Sequence, residues 1–267
     1  MNSGDTAWIL VSTALVMLMT PALAFFYGGM VRRKNLLSTI MMSFAILCMI
    51  SVLWVIYGYT MAFGPDVKGL IGNFSWFGLM GVGQNPSTVY AVTVPHLAFM
   101  AFQATFAIIT VALWTGAVVE RIKFGALLAF AALWFTLVYC PIAHWVWGSG
   151  GWLAQMGALD FAGGTVVHVN AGISALALAM VLGPRKGFRE GETMEPNNIP
   201  YVVLGAALLW FGWFGFNAGS ALTAGGLASS AFITTNTAAA SAGFTWMVLG
   251  WIHRRPSVVG GIPSRST

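Results

Sequence analysis

Asp160-Phe-Ala-Gly-Gly-Thr-Val-Val-His-Val-Asn-Ala-Gly172 puts one carboxylate and one imidazole into a stretch that otherwise reads as membrane-spanning. Asp160 falls where a helix cap belongs, and on a helix His168 lies about 12 Å beyond it, a depth inside hydrocarbon. Gly164, His168 and Gly172 follow one another at i, i+4 and i+8, so they share a helix face with no side-chain bulk one turn to either side of the imidazole. Such a face can line a narrow cavity. An ionisable group at that depth ordinarily faces a bundle interior or a water-filled pathway, because exposing it to lipid costs roughly 3 kcal/mol or more.

The rest of the chain has the same character. Of its 267 residues 58% are hydrophobic and 7% charged, against roughly 25% charged in a soluble domain. This composition specifies an all-α integral membrane protein. Apolar runs long enough to cross about 30 Å of hydrocarbon lie near 6–31, 37–63, 95–118, 124–147, 161–182, 200–221 and 229–252, which predicts seven transmembrane helices. Together they make a membrane domain over 1–252 with a short tail over 253–267. Arg32, Arg33, Lys34, Arg121, Lys123, Arg185, Lys186, Arg189, Arg254, Arg255 and Arg265 fall on one side of these spans, and Lys68 falls on the other. The positive-inside rule then sets the N-terminus outside and the C-terminus in the cytoplasm, probed independently by the odd span count. The first run lacks a basic n-region and is followed at once by Arg-Arg-Lys, so it reads as a retained span, not a signal peptide.

Several chemistries find no support. The pI near 9.5 comes from residues scattered over short loops, not from a patch that would bind nucleic acid. No Gly-rich phosphate loop, metal-ligand spacing or Gly-x-Ser-x-Gly elbow occurs, so neither an enzyme nor a cofactor is expected. Ser149 and His168 as an intramembrane nucleophile and base are discounted, since they belong to different segments and Ser149 sits in a Gly-rich loop. Cys48 and Cys140 lie in apolar runs and read as packing residues. His96, His144 and His253 stand near span ends, where water or headgroups satisfy an imidazole.

Local features refine the picture. Pro21 predicts a kink in the first span, and Gly28-Gly29 permits close approach of a neighbouring helix. The outer connection from 64 to 95, with Phe74, Trp76 and Phe77, reads as lying against the membrane interface. Its Asn73-Phe74-Ser75 fits a glycosylation sequon, a short match of little weight. In the third span Phe99, Phe102, Gln103 and Phe106 form an aromatic face carrying one amide. Trp145 and Trp147 end the fourth span as interfacial residues, and a flexible Gly148-Ser149-Gly150-Gly151 loop also lets the Trp147 ring turn into a vestibule. The mixed charges over 183–200 read as a solvated connector. Phe216 and Ser220 are i, i+4 at the end of the sixth span, and the seventh is rich in Thr, Ala, Ser and Asn236.

Five stretches taken together, Pro21-Ala-Leu-Ala-Phe-Phe-Tyr-Gly-Gly-Met-Val-Arg-Arg-Lys-Asn35, Phe102-Gln-Ala-Thr-Phe106, Val119-Glu-Arg121, Asp160 to Asn170 and Gly212-Trp-Phe-Gly-Phe-Asn-Ala-Gly-Ser220, resemble the ammonium transporter family, the relatives of the Rhesus glycoproteins. The resemblance runs from about residue 6 to residue 260. It implies passage of ammonium, as NH4+ or NH3, through a hydrophobic pore in each subunit of a homotrimer in a plasma or inner membrane. By motif, Trp147, Phe106 and Ser220 resemble the family's outer recruitment site, Phe106 and Phe216 the ring pair closing the pore below it, His168 the first of two pore histidines, and Asp160 the supporting carboxylate. A PII-type signal protein is the partner the resemblance suggests. The alternative is an ammonium-sensing or regulatory module that binds the ion at the same outer site without passing it.

The chain departs from the family pattern in one respect. Family members resemble eleven-span proteins built from two inverted five-helix repeats, and here the second repeat stops after its first two helices. The span bringing the second pore histidine is missing, and Gly-Gly-Ile-Pro-Ser-Arg-Ser-Thr267 does not continue the pattern. The expectation is a chain shortened by truncation, by frameshift or deliberately, with His168 and the small-residue faces left uncovered.

Overall fold

Asn2 starts the first membrane helix by accepting the Asp5 N–H at 3.1 Å, and α1 (Ser3–Met30) then runs unbroken through Pro21 for 28 residues. At 1.5 Å per residue its length is about 42 Å, more than the hydrocarbon thickness. The computed structural model describes residues 1–253. The tail over 254–267, with Arg254, Arg255 and Arg265, and the His253 side chain lie outside the described residues.

The second segment joins α2 (Leu36–Leu53), a π-helical turn (Trp54–Gly58) and α3 (Tyr59–Phe63). An outer loop follows, with two antiparallel pairs, β1 (Asp66–Val67) on β2 (Ile71–Gly72) and β3 (Pro86–Ser87) on β4 (Ala91–Pro95). The third segment is α4 (His96–Leu113). The fourth joins α5 (Phe124–Trp134), a π turn (Phe135–Tyr139) and α6 (Cys140–Trp147), with a single turn α7 (Trp152–Gln155) after it. The fifth opens with a π turn (Gly164–Val169) and continues as α8 (Asn170–Leu182). Asn198 caps α9 (Ile199–Gly219), and α10 (Gly226–His253) completes the described chain.

Among the described residues six segments are long and apolar enough to cross a membrane; α10 forms a 28-residue helix over the seventh expected span but is not one of the six. Its Ser, Thr and Asn residues lower its hydropathy. The other six apolar runs are helical, because a backbone in lipid must close its own hydrogen bonds locally.

The helices are joined by polar ends of large aromatics. Trp8 Nε1 donates to Ala218 O at 3.1 Å, Tyr27 OH to Leu113 O at 2.7 Å, Trp54 Nε1 to Met100 O at 3.1 Å and Trp134 Nε1 to Ser174 Oγ at 3.0 Å. A donor left bare in an apolar interior would be costly, so each ring fixes one helix against another. The second and fourth segments meet at their π turns, where Tyr57 and Thr136 hydroxyls lie 2.7 Å apart and Gly58 packs on the Phe135 ring. Pro141, which has no N–H to give, follows the second π turn and accounts for the irregularity there.

Three expectations are corrected. Cys48 is exposed on the outer surface of its helix; only Cys140 is buried in the packing. The 64–95 loop closes over the bundle and is not merely laid on the interface: Trp76 stacks on Tyr59 with ring centroids 5.7 Å apart, and Val82 and Val94 are buried, while Phe74 and Phe77 stay exposed. In that loop Asn73 caps the following turn through the Ser75 N–H. The 183–200 connector is docked, since Asn197 Nδ2 donates to the Gly28 and Val31 carbonyls, both at 2.7 Å.

At the same end, Arg32 bonds Glu120 through its backbone N–H and its guanidinium, with Arg185 3.9 Å away and Glu192 on the far side of Arg32. Burial alone would raise the Glu120 carboxyl, but hydrogen bonds from Arg32 and Asn35 and the Arg32 charge hold it below the usual glutamate value. Its contribution to stability is therefore full above the ordinary 4.5 and is lost as pH falls through the lower folded value. Because the side chain is only 1% exposed, Glu120→Gln is expected to cost about 3 kcal/mol and to abolish that acid-dependent loss. Thermal unfolding followed across pH checks both; an unchanged midpoint would mean the cluster does not hold the inner loops.

Candidate functional site

The site lies where α4, the end of α6, the 157–163 segment and the end of α9 converge. Phe99, Phe102 and Phe106 of α4 are buried, so the aromatic face read from spacing points into the protein. Phe102 and Phe106 meet edge to face at 4.9 Å, and Trp147 meets Phe106 likewise at 5.7 Å. A cavity of about 210 Å³ opens beside them, walled among others by Tyr90, Gln103, Phe106, Trp147 and Ser220. Gln103 Oε1 is buried there without a hydrogen-bond partner among the described residues.

The Trp147 ring is turned inward. Its Nε1 donates to the Asp160 carbonyl at 2.9 Å, which rules out a purely interfacial role for this tryptophan. Trp145 does face the loop side, donating to Leu70 O at 2.8 Å. Ser220 follows α9, and its hydroxyl donates to Phe216 O at 2.8 Å. Its proton is committed, so the oxygen lone pairs are what the cavity sees.

Phe216 packs behind Phe106. Its ring centroid is 4.4 Å from that of Phe106, with the planes tilted by 36°, and both side chains are 1% exposed. Beyond the pair lies His168, stacked on Trp213 at 5.6 Å and 15° and against Phe216 at 5.8 Å. His168 borders a groove of about 480 Å³ shared with Asp160, Trp213, Asn217 and Thr235. The two cavities share Asp160 and Phe161 as walls; Phe106, Trp147 and Ser220 border the first and His168 the second.

Asp160 organises the turn between them. Its Oδ1 accepts the Gly163 and Gly164 N–H groups at 2.5 and 2.9 Å, and its Oδ2 accepts those of Thr165 and Val166 at 2.8 and 2.9 Å. A carboxylate at a helix start is favoured by the bare amide donors and the dipole. Gly163 has φ 99° and packs on Val167, so a glycine is required to turn the chain there. The helix begins only at Gly164 and is π-wound to Val169, which corrects two expectations. His168 lies four residues into the helix, roughly 6 Å along it, instead of 12 Å. Gly164, His168 and Gly172 are also not in simple i, i+4 register, because the π turn inserts a residue.

Sequence spacing did not find Tyr90, which arrives from the outer loop, or Trp213, whose signal was its i−3 position to Phe216. It also misplaced two histidines. His96 and His144 are buried, not hydrated at span ends: Tyr59 OH and His96 Nε2 are 2.5 Å apart, and both ring nitrogens of His144 have protein partners. Ser149 and His168 are not brought together; the Ser149 N–H bonds the Tyr90 hydroxyl.

Comparison with known proteins gives a consistent picture. A model of the Ammonium Transporter Family matches residues 7–264. The chain is 53% identical over 263 residues to an ammonium transporter of Bacillus subtilis, covering 98% of this chain and 64% of that protein. It is 52% identical over 261 residues to the ammonium transporter Amt1 of Archaeoglobus fulgidus, covering 97% and 63%. Among solved structures, Candida albicans Mep2 superposes with a TM-score of 0.89 at 37% identity, covering 97% of this chain and 58% of that one. A sensor Amt protein superposes at 0.86 with 31% identity, covering 94% and 63%. The chain therefore spans less than two thirds of the length of these relatives.

Proposed function

Because this integral membrane chain belongs to the ammonium transporter family, we propose that it carries the outer recruitment site and the upper pore through which ammonium, as NH4+ or NH3, crosses a membrane. The observation that carries this reading is the cavity presenting the Phe106 and Trp147 rings and the Ser220 lone pairs, closed below by Phe216, with His168 on the far side. Ring faces attract a cation by about 0.5–2 kcal/mol but give water no comparable gain. Ser220 accepts a hydrogen bond from the ion. Further passage means desolvation, which penalises a permanent charge such as K+, whereas ammonium can shed its charge with a proton. Phe106 and Phe216 act as the gate, His168 as the first polar group beyond it, and Asp160 as the support that holds the turn.

In this reading the N-terminus and the 64–95 loop face outside and the Arg32, Glu120 and Arg185 cluster faces the cytoplasm, in a plasma or inner membrane. The functional unit is a homotrimer, and a PII-type signal protein docks on the inner loops. Methylammonium uptake into transport-deficient cells or liposomes tests the site. Trp147→Leu is expected to raise KM roughly tenfold with little change in maximal rate, the value of one cation–π contact. An unchanged KM would remove Trp147 from recruitment. The closed ring pair also favours a second reading, binding without passage: ammonium binding at the outer site with uptake no greater than an empty control would establish it.

A further inference from the structure

His144 ends the fourth segment one turn before Trp147 and has no exposed surface. Its Nδ1 is 2.9 Å from the Ala62 carbonyl oxygen and its Nε2 is 2.9 Å from Asp66 Oδ1. A carbonyl oxygen can only accept. The Asp66 carboxylate already takes the Gly69 N–H at 2.8 and 3.0 Å, and the His144 hydrogen bond holds its carboxyl below the ordinary aspartate value. An ionised carboxylate can also only accept. Both ring nitrogens of His144 therefore donate, and only the imidazolium carries two N–H groups.

The surroundings are shaped for this pair. A Cβ on Gly148 would stand 2.5 Å from His144 Nδ1 and 2.9 Å from Ala62 O, and one on Gly150, at φ +94°, would stand 2.7 Å from Asp66 Cβ. The Gly148–Gly151 loop is thus packed round the pair, not free as its composition suggests. From there Ser149 N–H reaches the Tyr90 hydroxyl at 2.9 Å, which donates to Phe63 O at 2.8 Å, and Phe63, Tyr90 and Trp147 all wall the outer cavity.

We infer that His144 and Asp66 form an imidazolium–carboxylate pair that positions Trp147 and Tyr90, making the outer site's affinity for its cation depend on the His144 charge. The inference rests on the recruitment reading above. The pair is neutral overall, so it does not repel an arriving cation. The groups facing it are the Ala62 carbonyl from α3, Asp66 from the β1–β2 hairpin with Lys68 exposed on the same turn, only backbone from the 148–151 loop, and Tyr90 from the β3–β4 connection. Burial pushes the Tyr90 hydroxyl up to about 12, so it stays neutral.

Nitrogen NMR of ring-labelled histidine in the full chain, held in lipid nanodiscs and assigned with H144Q, reads the charge without any ammonium. Two protonated ring nitrogens at pH 7 are expected; a neutral tautomer overturns the pair. The indole N–H of Trp147, assigned with W147F, reports positioning and is expected to shift in D66N and return in D66E; an indole unmoved in D66N overturns the positioning role. In uptake, D66N is expected to raise the methylammonium KM about tenfold, with D66E restoring it. A wild-type KM in D66N counts against the inference. Absence of binding and uptake in the wild type would instead sink the recruitment reading, leaving the NMR arms to decide this one.

Discussion

Asp160→Asn is expected to destabilise the chain by about 3 kcal/mol and to reduce ammonium uptake on the order of a hundredfold. The carboxylate accepts four backbone N–H groups, two on each oxygen, from Gly163 to Val166. An amide keeps one accepting oxygen and turns its NH2 toward the other two donors. Two charge-assisted bonds are then lost and two amide donors are left facing an N–H group. The damage spreads both ways along the site. The Asp160 carbonyl holds the Trp147 ring, and His168 follows on the same turn that the carboxylate anchors. Asp160→Glu is not expected to restore function, since the extra methylene moves the oxygens off the four converging donors. Uptake assays paired with thermal unfolding test this; wild-type transport in the asparagine variant would mean the turn is held by something other than the carboxylate.

The second large effect is expected at Gly215, where α9 lies on α1 with almost no side chain between them. A Cβ there would meet Leu15 Cβ at 2.7 Å and the Ser12 carbonyl at 2.8 Å, and Gly212, Gly219 and Gly205 make similar approaches to α1. In lipid, where helices gain nothing from expelling water, such close approach is a main source of packing energy. Gly215→Leu forces the helices apart and is expected to cost roughly 3 kcal/mol or more. Phe216 is the next residue, so the ring pair with Phe106 opens as well, and uptake is lost or becomes unselective. Gly172→Ala is the control. A Cβ at Gly172 meets nothing within 4 Å, and the change is expected to leave stability within about 1 kcal/mol of wild type. Equal effects at the two positions would show that the glycine contacts of α9 do not hold the helices together.

The positions of the spans were legible in the residues because the determinants are local. A run of apolar residues must close its own backbone hydrogen bonds in lipid, so length and hydropathy dictate a helix wherever it packs. The α10 exception follows the same rule, since its scattered Ser and Thr reduce apolarity without breaking the helix. Asn2 and Asn198 likewise mark helix starts through bonds to residues three positions away. The resemblance of long motifs named Phe106, Trp147, Asp160, His168, Phe216 and Ser220: Phe106, Trp147, Asp160 and Ser220 wall one cavity, Asp160 and His168 a second, and the Phe216 ring touches both Phe106 and His168.

What the sequence by itself determined was therefore an all-helical membrane chain, the approximate ends of its spans, and a set of polar and aromatic residues too costly to leave in lipid without partners. The tertiary structure alone decided who those partners are. His144 was read as a hydrated span-end histidine because Asp66 and Ala62 are about eighty residues away in the chain and only helix packing brings their oxygens to its ring. The π turn over Gly164–Val169 that carries His168 against Phe216 and Trp213 is likewise absent from the hydropathy, which registers only an apolar run. Local sequence states which groups must be satisfied; which group satisfies them is settled by contacts between distant segments, and the geometry of the site is made of those contacts.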